Sequence, residues 1–154
     1  MSAGHFRYWF EDFPVGMTVE IPGPVLTTES ILEYARRYDP QPFHVDEEAA
    51  KQSVYGGLIA SGWHTVSLAM RMICDAYLLD AASLGSPGVN EVRWLKPVRP
   101  GDSIRLRMTV LEAKPSASKP DRGTVLHRWE VLNQNGETVM TMEGYGMFRR
   151  RKLA

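Results

Sequence analysis

The chain has 154 residues, enough for one domain with a proper core, and 44% of them are hydrophobic, which is ordinary for a globular protein. Eighteen basic and eighteen acidic side chains cancel, so charge gives no reason to expect nucleic acid or an anionic membrane as a partner. No apolar run approaches the roughly 20 residues of a membrane span, residues 1–10 lack the apolar stretch of a signal peptide, and the lone Cys74 cannot form an internal disulfide, so a soluble cytoplasmic domain is expected.

In chain order, residues 18–21 read as a short strand closed by Pro22-Gly23-Pro24. Thr27 or Thr28 then offers an N-cap, and Ile31, Leu32, Ala35 and Tyr38 repeat at helical spacing. The Asp39-Pro40 step ends that helix. Asp46 can cap a second, short helix with Glu47 and Glu48 in its first turn, where Glu47 and Lys51 form an i,i+4 pair. A third helix starts near Gly62 and carries Val66, Ala69, Met70, Ile73, Cys74, Tyr77 and Leu78. Its expected length is roughly 25 Å, and apolar residues cover so much of its circumference that it should be largely buried. The stretch from Ser83 to Gly88 ends it.

The second half reads as antiparallel sheet. Residues 89–95 form one strand. Ile104, Leu106, Met108 and Val110 alternate with Arg105, Arg107 and Thr109, as do Val125, His127, Trp129 and Val131 with their neighbours. Asn133-Gln134-Asn135-Gly136 is a turn signal, and Val139, Thr141, Glu143, Tyr145 and Met147 make one face of a last strand. Residues 114–123 read as a surface loop. Periodicity alone supports a single α+β domain over residues 1–154, with no internal repeat or linker.

Chemistry concentrates between residues 38 and 64. Tyr38-Asp39-Pro40-Gln41-Pro42-Phe43-His44 places a carboxylate and an imidazole five positions apart. The two prolines fix φ and push Asp39 and Gln41 out of helical conformation, so a stiff, irregular loop is expected. Gly56-Gly57-Leu58-Ile59-Ala60-Ser61-Gly62-Trp63-His64 then leads into the long helix. His44, His64, Asp39 and Asp46 have no recognised zinc spacing, so no metal is expected.

This segment resembles the signature of the MaoC-like dehydratases, which include the (R)-specific enoyl-CoA hydratases. The matching residues are Asp39, Gln41, Pro42, Phe43, His44 and, after five intervening residues, Ala50. Gln41 stands where that family commonly has Asn, and Tyr38 where it has Gly. The resemblance implies a hot-dog fold, an antiparallel curved sheet wrapped around one long central helix. It also implies hydration of a 2-enoyl thioester or the reverse dehydration, with coenzyme A as part of the substrate and no separate cofactor.

Such a reaction needs a base for water, a proton for C2 and a donor for the thioester oxygen. Asp39 is the expected base, and His44 the residue that orients the same water. Phe43 and Tyr38 are expected to dry the pocket and raise the Asp39 pKa. The backbone N–H of Gly62, at the start of the long helix, is the expected oxyanion donor, with Gly57 a second candidate. His64, in the first turn of that helix, reads as structural, with contact to the site as the alternative. Phosphate of coenzyme A could meet Lys96, Arg99, Arg149, Arg150, Arg151 or Lys152, whereas Arg105 and Arg107 read as a solvated strand face. The resemblance further implies a homodimer or a dimer-based oligomer. The competing readings are a hot-dog thioesterase, which would want an acidic residue early on the central helix, and a silent acyl-binding subunit. That helix has no Asp or Glu before Asp75.

Overall fold

A computed structural model describes residues 5–151. Six strands form one antiparallel sheet: β1 (Thr18–Val25), β2 (Ser83–Gly85), β3 (Val89–Trp94), β4 (Ser103–Pro115), β5 (Arg122–Leu132) and β6 (Thr138–Arg149). The order is β1-β4-β5-β6, with β2 and β3 lying in tandem along the outer side of β6. Four helices precede or interrupt the strands: α1 (Thr28–Tyr38), α2 (Pro42–Val45), α3 (Glu47–Lys51) and α4 (Gly62–Ala76). The curved sheet wraps α4. This is the hot-dog arrangement, as expected. No helix among the described residues is long and apolar enough to cross a membrane.

Alternation sets the sheet's inner face. In β4, Ile104, Leu106, Met108 and Val110 are buried, while Arg105 and Arg107 point outward to Glu20 and Glu130. In β5 Val125, His127, Trp129 and Val131 alternate as buried residues, and Leu126 and Leu132 are buried as well. In β6 the core register is Met140, Met142 and Phe148; of the alternate set, Thr141, Glu143, Tyr145 and Met147 are partly exposed while Val139 is buried. The β5–β6 turn is held by the Asn133 side-chain oxygen, which accepts from Asn135 N–H at 3.0 Å and Glu137 N–H at 3.1 Å. Gly136 takes the left-handed φ of +74° that this turn needs.

Several boundaries differ from the sequence expectation, each for a physical reason. Pro22-Gly23-Pro24 does not close β1. The strand runs on to Val25, because β1 pairs only with β4 and an edge strand tolerates proline. Gly23 is required there: a Cβ would lie 2.5 Å from the Ile104 carbonyl oxygen. Residues 83–85 form β2 rather than loop, since the free side of β6 has unpaired backbone groups to offer. The 114–123 loop shrinks to residues 116–121 between β4 and β5. Lys51 pairs with Glu48 at 2.9 Å rather than with Glu47.

The central helix is shorter and less enclosed than its apolar content suggests. It ends at Ala76, and a 3-10 turn spans Leu78–Asp80. His64, Thr65, Ala69, Met72 and Ile73 are buried, but Trp63, Ser67, Met70 and Arg71 are exposed. Burying its inner stripe, at about 25 cal/mol per Å² of apolar surface, is the main force fixing α4 against the sheet.

Candidate active site

The residues expected to carry chemistry meet at the N-terminal end of α4. Asp39 is the C-cap of α1, where its N–H bonds to the Ala35 carbonyl and its backbone leaves helical geometry ahead of Pro40. Residues 42–45 are not irregular loop but the single turn α2, with Pro42 at the first helical position, where a missing N–H costs nothing. This turn points His44 back at Asp39. The ring is 5% exposed, and its Nε2 lies 3.3 Å from Asp39 Oδ2.

Both ring nitrogens of His44 are accounted for. Nδ1 is 2.8 Å from the Ile59 carbonyl oxygen, which can only accept, so Nδ1 carries a proton. In the neutral tautomer Nε2 would then face Oδ2 lone pair to lone pair. A proton held between Oδ2 and Nε2 relieves that conflict. The Ile59 N–H in turn donates to the Phe43 carbonyl at 3.2 Å, tying the 58–60 segment to α2.

Asp39 is held by two further donors. Ser61 Oγ donates to Oδ2 and Gln41 Nε2 donates to Oδ1, each at 2.7 Å. Burial pushes the Asp39 pKa up, but these two hydrogen bonds and the charge of His44 outweigh it and hold the carboxyl below its ordinary value. The expected rise is therefore reversed. Tyr38 is 66% exposed and does not dry the site, while Phe43 does pack edge-on to His44 at 4.6 Å between centroids. Ser61 was not singled out in the sequence as a partner of Asp39. Its place before Gly62 marks it as an N-cap, yet its hydroxyl is turned to the carboxylate and makes no cap bond.

Gly62 opens α4, where the first N–H groups have no intrahelical acceptor. A Cβ there would lie 2.4 Å from the Trp94 indole, so any side chain would force that ring to shift. Gly56 has φ of +67° and shapes the turn; Gly57 passes near the Arg99 guanidinium, 3.5 Å from where a Cβ would be. Asp39, His44 and Gly62 all line one cavity of about 500 Å³, together with Phe43, Trp63 and Trp94. Lys96 is also on its wall but is ion-paired with Glu137.

Other candidates lie elsewhere. His64 stacks flat on Tyr34, 4.5 Å between centroids, and burial lowers its pKa. Arg99 donates to the Tyr55 carbonyl at 2.7 Å. Arg150 and Arg151 pair with Glu11 and Asp12, Arg149 is exposed, and Lys152 lies outside the described residues. Asp75 is paired with Arg71 at 2.9 Å and borders a second, apolar cavity with Ile21, Leu68 and Met72. It is not among the residues lining the Asp39 cavity, which leaves that cavity without the helix-borne acid of a thioesterase. Among the described residues no three His, Cys, Asp or Glu side chains gather as a metal site.

Comparisons with known proteins extend over most of the chain. The family model described as "MaoC like domain" matches residues 12–129. A MaoC-like dehydratase from Rhodospirillum rubrum is 40% identical, with a TM-score of 0.87 over 94% of this chain and 99% of that one. The mesaconyl-CoA hydratase of Cereibacter sphaeroides is 31% identical over 170 aligned positions, covering 99% of this chain but 43% of its own length. The chain thus spans less than half of that relative. An R-hydratase from Pseudomonas aeruginosa is 23% identical and shares the fold, with a TM-score of 0.73 over 95% of this chain and 91% of that one.

Proposed function

The chain belongs to the MaoC-like domain family, and we propose that it is a hydratase acting on a 2-enoyl thioester, or a dehydratase acting on the 3-hydroxyacyl thioester. The observation that carries this reading is the contact between Asp39 Oδ2 and His44 Nε2, 3.3 Å apart on the wall of a cavity that Gly62 also lines.

The chemistry follows from that geometry. A water at the pair gives one proton to Asp39 Oδ2 as its oxygen attacks C3 of the enoyl group. Negative charge develops on the thioester oxygen, where the Gly62 N–H and the N-terminal end of α4 meet it. A donor of this kind is worth on the order of 3 kcal/mol in other enzymes. His44 Nε2 delivers a proton to C2, and the proton gained by Asp39 crosses to Nε2 to restore the pair. One water is consumed, one C–O and one C–H bond form, and no redox cofactor is needed. Dehydration runs the same steps backwards.

Coenzyme A is the proposed thioester carrier, on the strength of the mesaconyl-CoA hydratase likeness. The proposed assembly is a homodimer or a dimer-based oligomer. Beyond β3 the sheet leaves an edge, and Trp63, Val89, Trp94 and Leu95 are all about half exposed near it, a surface that a second copy would cover. A sedimentation mass of one chain at micromolar concentration would refute the dimer.

The function is tested with a panel of enoyl-CoA and 3-hydroxyacyl-CoA esters, crotonyl-CoA and mesaconyl-CoA among them. Loss of enoyl absorbance without release of free thiol is the expected result. Thiol release would move the assignment to a thioesterase, and inertness across the panel to a binding subunit.

A further inference from the structure

Gln41 stands between the two members of the pair and touches both. Its side-chain Nε2 donates to Asp39 Oδ1 at 2.7 Å, while its backbone carbonyl accepts from the His44 N–H at 2.9 Å. Pro40 and Pro42 flank it and hold it extended, at φ of −69° and ψ of 145°. The side chain lies on the cavity wall. A short, doubly proline-locked segment therefore links carboxylate to imidazole through one residue.

From this bridging geometry we propose that Gln41 is a positioning residue: by holding Oδ1 of Asp39 it fixes the carboxylate's rotation and keeps Oδ2 beside Ser61 and His44, where the reacting water meets the pair. The inference rests on the reading of Asp39 as the base. An ionised carboxylate only accepts hydrogen bonds, so the amide of Gln41 must present its NH₂ group to Asp39. The Gln41 donor also acts with Ser61 in keeping the carboxyl ionised. Without it, Asp39 could rotate about its side-chain bonds and exchange its two oxygens at the site. A residue outside the reaction path thereby fixes which oxygen is the base and over what pH range it works.

The test follows the Asp39 carboxyl by NMR in protein labelled with carboxyl-¹³C aspartate, with no substrate present. Wild type is compared with Gln41→Met, which keeps length but removes the donor, and with Gln41→Glu, which sets a second carboxylate against Asp39. The Asp39 titration should move up by about one pH unit in Gln41→Met and further in Gln41→Glu, since a hydrogen bond to a charged group contributes at least that much. With crotonyl-CoA, kcat of Gln41→Met should fall about tenfold with KM within about twofold, and the acid limb of the pH profile should rise in step with the NMR titration. An unshifted Asp39 titration in folded Gln41→Met overturns the inference. So does a loss of activity that is uniform across pH and accompanied by a lower Tm. If the wild type lacks hydratase activity but the titration still shifts, the positioning by Gln41 stands and the reading of the reaction falls.

Discussion

Two imidazoles in this molecule are almost equally buried, yet they live in opposite surroundings. His44 is 5% exposed at the cavity, with Nδ1 on the Ile59 carbonyl and Nε2 on Asp39. His127 is 2% exposed beneath the sheet, stacked on Trp129 at 4.8 Å and near Phe13 and Phe148, and neither of its nitrogens has a hydrogen-bond partner. Burial drives the His127 pKa down to about 4, only partly offset by a polar approach to the Gly144 backbone that falls short of a hydrogen bond. Burial alone therefore does not mark a site. What separates the two is a carboxylate, a carbonyl and an opening to solvent.

The comparison breaks most sharply on the His44 side. Asp39→Asn keeps size and turn propensity but removes the base, and His44→Gln keeps a polar group but removes the imidazole. Each should lower kcat for enoyl-CoA hydration by about 10²–10⁴-fold. If the two grip one water, as proposed, the double variant should be only slightly worse than the poorer single. Folding should survive, since the prolines set the turn. The measurement is a double-mutant cycle on kcat with Tm recorded alongside; near-wild-type activity in Asp39→Asn would remove the mechanism. Multiplicative losses would leave the enzyme reading but refute the shared water.

On the His127 side the readout is stability against pH. Its folded pKa lies below the ordinary imidazole value of 6.5, so the unfolded chain binds the proton more readily. The stabilisation from a neutral His127 is complete above about pH 6.5, declines as pH falls and is exhausted below about pH 4, amounting to about 3 kcal/mol at most. His127→Leu, which fits the apolar cage, should remove that part of the acid loss. Urea unfolding at pH 7 and pH 4.5 measures it. An identical pH dependence in the variant would mean that His127 finds a partner when charged.

The same contrast explains what the sequence could reveal. The alternation of Ile104, Leu106, Met108 and Val110 is a local property, and it was legible. So was the Asn133-to-Gly136 turn, and so was the approach of Asp39 to His44, because two prolines confine the few residues between them. What escaped were pairings made across the fold. Ser61 reaches Asp39 from 22 positions away, β2 exists only because β6 has a free side, and β1 survives Pro22 only because it is an edge. The Asp39 pKa went the opposite way because its two donors count for more together than the burial that the neighbouring aromatics suggested. Such balances depend on distances that no spacing in the chain encodes.

Ser61→Ala tests one of those distances. It leaves Oδ2 facing His44 alone, so the Asp39 pKa should rise and the acid limb of kcat should move up with it. The expected fall in kcat near neutral pH is about tenfold, in keeping with one lost hydrogen bond to a charged group. Unchanged kcat and an unmoved limb would show that His44 alone holds that oxygen.

The smallest expected effect is the one that separates the two cavities along α4. Asp75 sits near the helix's C-terminal end, paired with Arg71 at 2.9 Å and bordering the apolar cavity rather than the one that holds Asp39. As an exposed i,i+4 pair on a helix, screened by solvent, it contributes little to the stability of the fold. Asp75→Asn should therefore cost almost nothing in Tm and leave kcat within about twofold. A thioesterase that relied on this acid to activate water would instead lose on the order of a hundredfold or more. Measuring thiol release and enoyl hydration side by side in the folded variant decides between them. Loss of thiol release with hydration untouched would reveal a second chemistry at the other end of the helix, whereas loss of hydration would mean that the water at Asp39 is not the one that reacts.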